Sequence, residues 1–173
     1  GGFDCFLAAR QVGPRGRVIG VDMTPEMVSR ARENVREAKS TNIEFRLGEI
    51  EHLPVADNTA DAILSNCVIN LSPDKAQVYR EAYRVLKPGG RLAISDLVEV
   101  RPMPTALKRD SDKHSGCVAG ASGVADLKRI MRSAGFSEIN IAVNERSVDF
   151  IKNWFPGSGV EKYVRSAAVR AVK

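Results

Sequence analysis

Short apolar runs alternate along this chain with longer stretches in which apolar residues recur every three or four positions. Arg17-Val18-Ile19-Gly20-Val21-Asp22 predicts a buried strand after the turn Gly13-Pro14-Arg15-Gly16. Thr24 and Pro25 then suit a helix cap and first helical position. Met27, Val28, Ala31, Val35 and Ala38 fall on one face of that helix. Asn42 to Leu47 predicts the next strand, and Asp61 to Asn66 another, with Cys67 at or just past its end. Ser72-Pro73 repeats the cap-then-proline start for a helix whose apolar face carries Tyr79, Ala82, Tyr83 and Leu86. Lys87-Pro88-Gly89-Gly90 stops it, and Arg91 to Asp96 is the following strand. Glu99 to Gly123 has weak periodicity and predicts an irregular insertion with one helix. Val124, Leu127, Ile130, Met131 and Ala134 restore a helical face that ends at Gly135. Ile139 to Val143 predicts a strand, Val148 to Phe155 a short helix, and Tyr163 to Val172 a last strand.

Strands alternating with helices imply an α/β fold, a mainly parallel sheet with helices on both faces. Ligands of such sheets sit at the carboxyl ends of strands. The positions to watch are therefore Asp22, Glu49, Asn66-Cys67 and Asp96. Length changes nothing in this picture: 173 residues suit one domain, 1–173, with 99–123 inserted and 144–173 as a C-terminal segment.

Composition narrows the class. With 43% hydrophobic and 27% charged residues, the chain is of soluble globular type. No apolar run approaches the ~20 residues of a membrane helix, and no secretory signal opens the chain. A net charge of +5 is mild, and the Lys and Arg residues are spread along helical stretches. Solvated helix faces explain them, and nucleic-acid binding is not expected. The three cysteines, Cys5, Cys67 and Cys117, form no CxxC pair, so neither a disulfide framework nor structural zinc is expected. Reduced thiols in a cytoplasmic protein are the expectation.

Two groups of residues carry candidate chemistry. Asp22 lies at a strand end, 20 residues beyond Gly2, where a Rossmann-type carboxylate accepts ribose hydroxyls; a turn or cap Asp is the competing reading. Gly1-Gly2 suits the tail of a glycine-rich loop before a helix opened by Asp4 and Cys5, although an expression scar would give the same two residues. Cys67 at a strand end and Cys117 in the irregular segment suit a soft, thiophilic centre, while either alone suits a small buried hydrophobe.

The order of Val18-Ile19-Gly20-Val21-Asp22-Met23, Gly48-Glu49-Ile50-Glu51-His52-Leu53-Pro54, Asp61-Ala62-Ile63-Leu64-Ser65-Asn66 and Arg84-Val85-Leu86-Lys87-Pro88-Gly89-Gly90 resembles class I S-adenosylmethionine-dependent methyltransferases over nearly the whole chain. That resemblance implies a Rossmann-like fold with S-adenosyl-L-methionine as cofactor. Gly1 and Gly2 would close the family's glycine-rich motif. Asp22 and Met23 would contact ribose and adenine, Glu49 and Ile50 would flank the adenine, and Asn66 would lie near the methionine portion. The strand and glycines that precede this point in the family are missing. The chain, which begins without Met, is thus expected to be truncated, with its first strand missing, and to be unstable or inactive in isolation.

Within that class, Ser65-Asn66-Cys67-Val68-Ile69-Asn70-Leu71-Ser72-Pro73-Asp74-Lys75, Gly116-Cys117-Val118-Ala119-Gly120-Ala121 and Gly2-Phe3-Asp4-Cys5-Phe6-Leu7-Ala8-Ala9 resemble the arsenite methyltransferase family. The resemblance implies that Cys67 and Cys117 bind As(III) as substrate, with a third cysteine upstream. It implies trivalent arsenic, presented as a thiol conjugate, and a thiol reductant as partners, in a monomer. Arsenite detoxification by methylation is the expected role. Cys5 is expected to pack or to lie beside the cofactor, and His52 and His114 receive no catalytic role. Two rivals stand beside this reading: a class I methyltransferase for a small organic substrate, and a non-catalytic thiol-based metalloid-binding module.

Overall fold

The computed structural model describes residues 1–109, 116–154 and 156–173. His114 and Phe155 lie outside the described residues. The chain divides into two compact units, Gly1–Val55 and Ala56–Lys173.

The first unit contains helix α1 (Phe3–Val12), strand β1 (Val18–Asp22), helix α2 (Pro25–Glu37) and strand β2 (Ile43–Leu47). The two strands pair in parallel, from Val18 opposite Ile43 to Asp22 opposite Leu47. Pro25 starts α2, as expected, but Thr24 makes no side-chain cap hydrogen bond. Its amide instead donates to Asp22 Oδ1 at 2.9 Å. The core of the unit is Ala9, Val28, Ala31, Ile43 and Phe45, with Cys5 packed against it. Phe45 dictates two glycines. A Cβ on Gly20 would fall 2.3 Å from the Phe45 ring, and one on Gly2 would fall 2.5 Å from it. Gly2 also has φ +83°, which disfavours a side chain independently. Arg32 ties α2 to β2, donating to the Phe45 carbonyl from Nε at 3.1 Å and Nη2 at 2.8 Å.

The second unit is built on a sheet of order β3-β4-β7-β6. Strand β3 (Ala60–Asn66) leads to a 3-10 turn, Ile69–Leu71, then to helix α3 (Lys75–Val85) and strand β4 (Leu86–Glu99). Helices α4 (Thr105–Arg109) and α5 (Gly116–Ala119) follow, then β5 (Ser122–Gly123), α6 (Val124–Ser133), β6 (Ser137–Asn144), α7 (Ser147–Trp154) and β7 (Val164–Val172). The expected start of α3 shifts: Asp74, not Ser72, caps it, accepting from the Gln77 amide. Ser72 Oγ instead accepts from the Asp74 amide at 3.1 Å. The expected stop at Lys87-Pro88-Gly89-Gly90 lies inside a strand, because Leu86 already has extended backbone and the helix closes at Val85. Strands β3 and β4 are parallel, but β7 runs antiparallel to both β4 and β6. The sheet is therefore mixed, with its parallel character confined to the β3-β4-β5 side.

Helix α3 meets the turn between α6 and β6 through aromatic edges. Tyr79 and Tyr83 lie edge-on to Phe136 at centroid distances of 6.4 and 5.4 Å. A further apolar cluster gathers Leu97, Met103, Val118, Ala121, Ile151, Val160 and Val164, with Cys117 packed at its margin. The segment expected to be irregular is thus anchored by its own buried residues, and its described residues include two short helices where one was expected.

Candidate active site

In the first unit, the expected cofactor residues gather at the carboxyl ends of the paired strands. Asp22 ends β1 opposite Leu47, and Gly48 donates its amide to the Asp22 carbonyl at 3.0 Å. That bond brings the Gly48-Glu49-Ile50 corner beside Asp22. Asp22 Oδ1 accepts from the Thr24 amide, which is the turn role that competed with the ribose reading. Met23 projects into solvent at 70% exposure, and Glu49 is also exposed. A carboxylate that accepts, beside exposed apolar side chains, fits a sugar diol that donates and carries an attached flat base. Gly1 and Gly2 sit before α1, and Asn34 Nδ2 donates to the Gly1 carbonyl at 3.0 Å. Packing against Phe45 by itself accounts for the lack of a side chain at Gly2. Cys5 belongs to the core of this unit, and burial, then the Asp4 charge, push its thiol pKa up.

In the second unit the structure brings the other two cysteines together from 50 residues apart. Cys117 Sγ donates to the Cys67 carbonyl at 3.1 Å. All three cysteines are thiols. Cys67 follows β3, and its amide donates to the Ser95 carbonyl at 2.8 Å, extending the β3–β4 ladder by one bond. Its φ is +53°, a left-handed conformation that non-glycine residues seldom adopt. Burial, then the charges of Asp96 and Cys117, raise the Cys67 pKa. The two thiols are therefore close enough to oppose each other's ionisation. Asn66, the preceding residue, is exposed at the end of β3.

Asp96 was expected just past a strand, at an open end. It lies instead inside β4, which continues to Glu99, and it is only 6% exposed. Its Oδ1 accepts from Asn70 Nδ2 and from the Leu97 amide, both at 2.8 Å. Burial raises its pKa against these hydrogen bonds. Asn70, equally buried, gives a further bond to the Leu97 carbonyl at 2.8 Å. Lys75, at the start of α3, donates to the Gly120 carbonyl, and burial lowers its pKa. Sequence reading gave Asn70 and Lys75 no role. Both stand in the Ser65 to Lys75 motif that carries the family resemblance, and each is polar, Asn70 within the otherwise apolar stretch Val68 to Leu71 and Lys75 at a helix start. Among the described residues, no group of three or more His, Cys, Asp or Glu side chains is placed to hold a metal ion.

The methyltransferase-domain family matches residues 1–135, more than three quarters of the chain. The chain belongs to that family. This methyltransferase domain is similar to the arsenite methyltransferase of Halobacterium salinarum, 54% identical over 172 residues, which are 99% of this chain and 44% of the relative. An arsenite methyltransferase of Aquipseudomonas alcaligenes is 42% identical over 144 residues, 79% of this chain and 42% of the relative. Among solved structures, the arsenic (III) S-adenosylmethionine methyltransferase of Chlamydomonas reinhardtii matches with a TM-score of 0.78 at 33% identity. That match covers 99% of this chain and 59% of the algal one. The domain therefore spans less than half the length of the two curated relatives. Its fold is the Rossmann-like class I methyltransferase fold expected from the sequence, with helices packed on a sheet that turns antiparallel at β7. No helix among the described residues is long and apolar enough to cross a membrane.

Proposed function

We propose that this chain is the methyl-transferring part of an S-adenosylmethionine-dependent arsenite methyltransferase, with Cys67 and Cys117 holding As(III). The observation that carries the reading is the 3.1 Å contact between Cys117 Sγ and the Cys67 carbonyl. Thiolates prefer soft centres, and two of them on separate elements can chelate one arsenic. In the transfer from a thiol conjugate, each cysteine S–H replaces one As–S bond. The cysteine sulfur becomes the new ligand, and its proton leaves on the released thiol. S-adenosylmethionine, when bound, supplies an electrophilic sulfonium methyl, which the arsenic lone pair takes up as S-adenosylhomocysteine leaves. Asp22, Met23, Glu49 and Ile50 would hold its ribose and adenine, with Gly1 and Gly2 on the adjoining portion. The chain's own contribution is then placement, which in oriented reactions is worth roughly 7–11 kcal/mol. A thiol reductant, a monomeric state and a cytoplasmic location complete the proposal.

The test replaces Cys67 or Cys117 by serine in the full-length protein. Arsenite methylation should fall at least a hundredfold in both variants, while S-adenosylmethionine binding by calorimetry is unchanged. Full activity in both would overturn the assignment.

A further inference from the structure

Two polar side chains outside the thiol pair tie down, one each, the segments that carry the two sulfurs; Asn70 bonds the buried Asp96 carboxylate, and Lys75 lines the same cavity as that carboxylate. Asn70 lies in the 3-10 turn three residues after Cys67. Its Nδ2 spans the Asp96 carboxylate and the Leu97 carbonyl, both at 2.8 Å, and its amide donates to Asp96 Oδ2 at 3.3 Å. The segment leaving Cys67 is thereby pinned to β4. Lys75 begins the next helix, and its ammonium donates to the carbonyl of Gly120, the residue that follows the helical turn bearing Cys117. Lys75 and Asp96 line the same enclosed cavity of about 10 Å³, and the Asp96 charge favours the ammonium. A cavity of that volume has room for about one water molecule, far too little for a substrate or cofactor. The cluster is therefore not a ligand site of its own.

We infer that Asn70, Lys75 and Asp96 form one positioning cluster that fixes the spacing between the thiols of Cys67 and Cys117. Asn70, anchored on Asp96, holds one side, and Lys75, on the Gly120 carbonyl with the Asp96 charge favouring its ammonium, holds the other. This rests on the reading of the pair as an As(III) site, since only a centre bridged by both sulfurs requires a fixed spacing. The donor is charged and its bond part-buried, which makes this tie stronger than one between neutral groups.

The experiment separates spacing from arsenic chemistry. The full chain is treated with dibromobimane, which bridges two neighbouring thiols, and in parallel with monobromobimane, which labels each thiol alone. Peptide mapping then gives the ratio of Cys67–Cys117 cross-link to single labelling. Lys75→Met keeps the stem and removes the ammonium, and Asn70→Ala removes the other tie. In each, assayed well below its own melting temperature, the ratio should fall at least tenfold while single labelling rates stay near wild type. Lys75→Arg, which keeps a cationic donor, should restore it. An unchanged ratio in Lys75→Met overturns the inference, as does a loss that Lys75→Arg does not restore. If Lys75→Met unfolds, the Lys75→Gln variant, which keeps a neutral donor, is read by the same ratio. A wild-type chain that cross-links but does not bind arsenite overturns the arsenic reading and leaves the positioning cluster standing. A wild-type chain that does not cross-link overturns both.

Discussion

The two units of this chain hold themselves together in different ways. Gly1–Val55 has a small core organised around one aromatic ring, with Phe45 filling the space that Gly2 and Gly20 leave open. Ala56–Lys173 spreads its buried residues over several strands and helices, and closes its polar interior with a hydrogen-bonded carboxylate. One ring that excludes side chains on two neighbours makes a keystone. A distributed core tolerates the loss of any one member better, because its neighbours share the contacts.

That contrast can be broken experimentally. Phe45→Ala should be the most damaging change, costing about 3–5 kcal/mol as the ring's volume is emptied. Amide hydrogen exchange should accelerate in β1 and β2 while the β4 and β7 amides keep their protection. Equal acceleration in all four strands would show that the two units unfold as one and that the contrast is false. Ile151→Ala, in the core beside Cys117, should cost about 2–5 kcal/mol and act on the other unit. Its exchange signature should appear in β7 and α7, and it should loosen Cys117 enough to speed its alkylation.

The smallest effect is electrostatic. Cys67 holds its proton more tightly folded than unfolded, because burial and the Asp96 charge disfavour the thiolate. Its contribution to stability is therefore complete below the ordinary thiol value of 9.0 and declines as the pH rises above it. Alkylation of Cys67 at pH 8 should accordingly be several-fold slower than that of a free thiol. A Cys67 alkylated as fast as an unstructured peptide thiol would sink this prediction.

Much of this organisation was legible in the residues. Periodicity placed β1, α2, β2 and α6 within a few positions, since each has an unbroken apolar face or run. The cap of α3 was misplaced because Ser72-Pro73 and Asp74 offer competing turn chemistry, and Asp74 satisfies the amide of Gln77 directly. The antiparallel course of β7 left no mark, because an alternating strand looks the same in either direction. At the candidate site, cysteines could be picked out by their chemistry. Asn70 could not, since its partners, Asp96 and Leu97, are 26 and 27 residues away and only the folded chain pairs them. Glycines gave a divided result. Gly2 suited a ligand loop, but it also answers to an aromatic ring whose approach no local motif announces.

The left-handed backbone at Cys67 has a further meaning. A side chain in that conformation costs roughly 1–2 kcal/mol that glycine would not incur. Natural drift at this corner should thus slide downhill toward glycine wherever sulfur has no task. Replacing Cys67 with glycine should therefore ease this corner while removing its sulfur, so the backbone would be spared in a lineage that dispensed with the thiol.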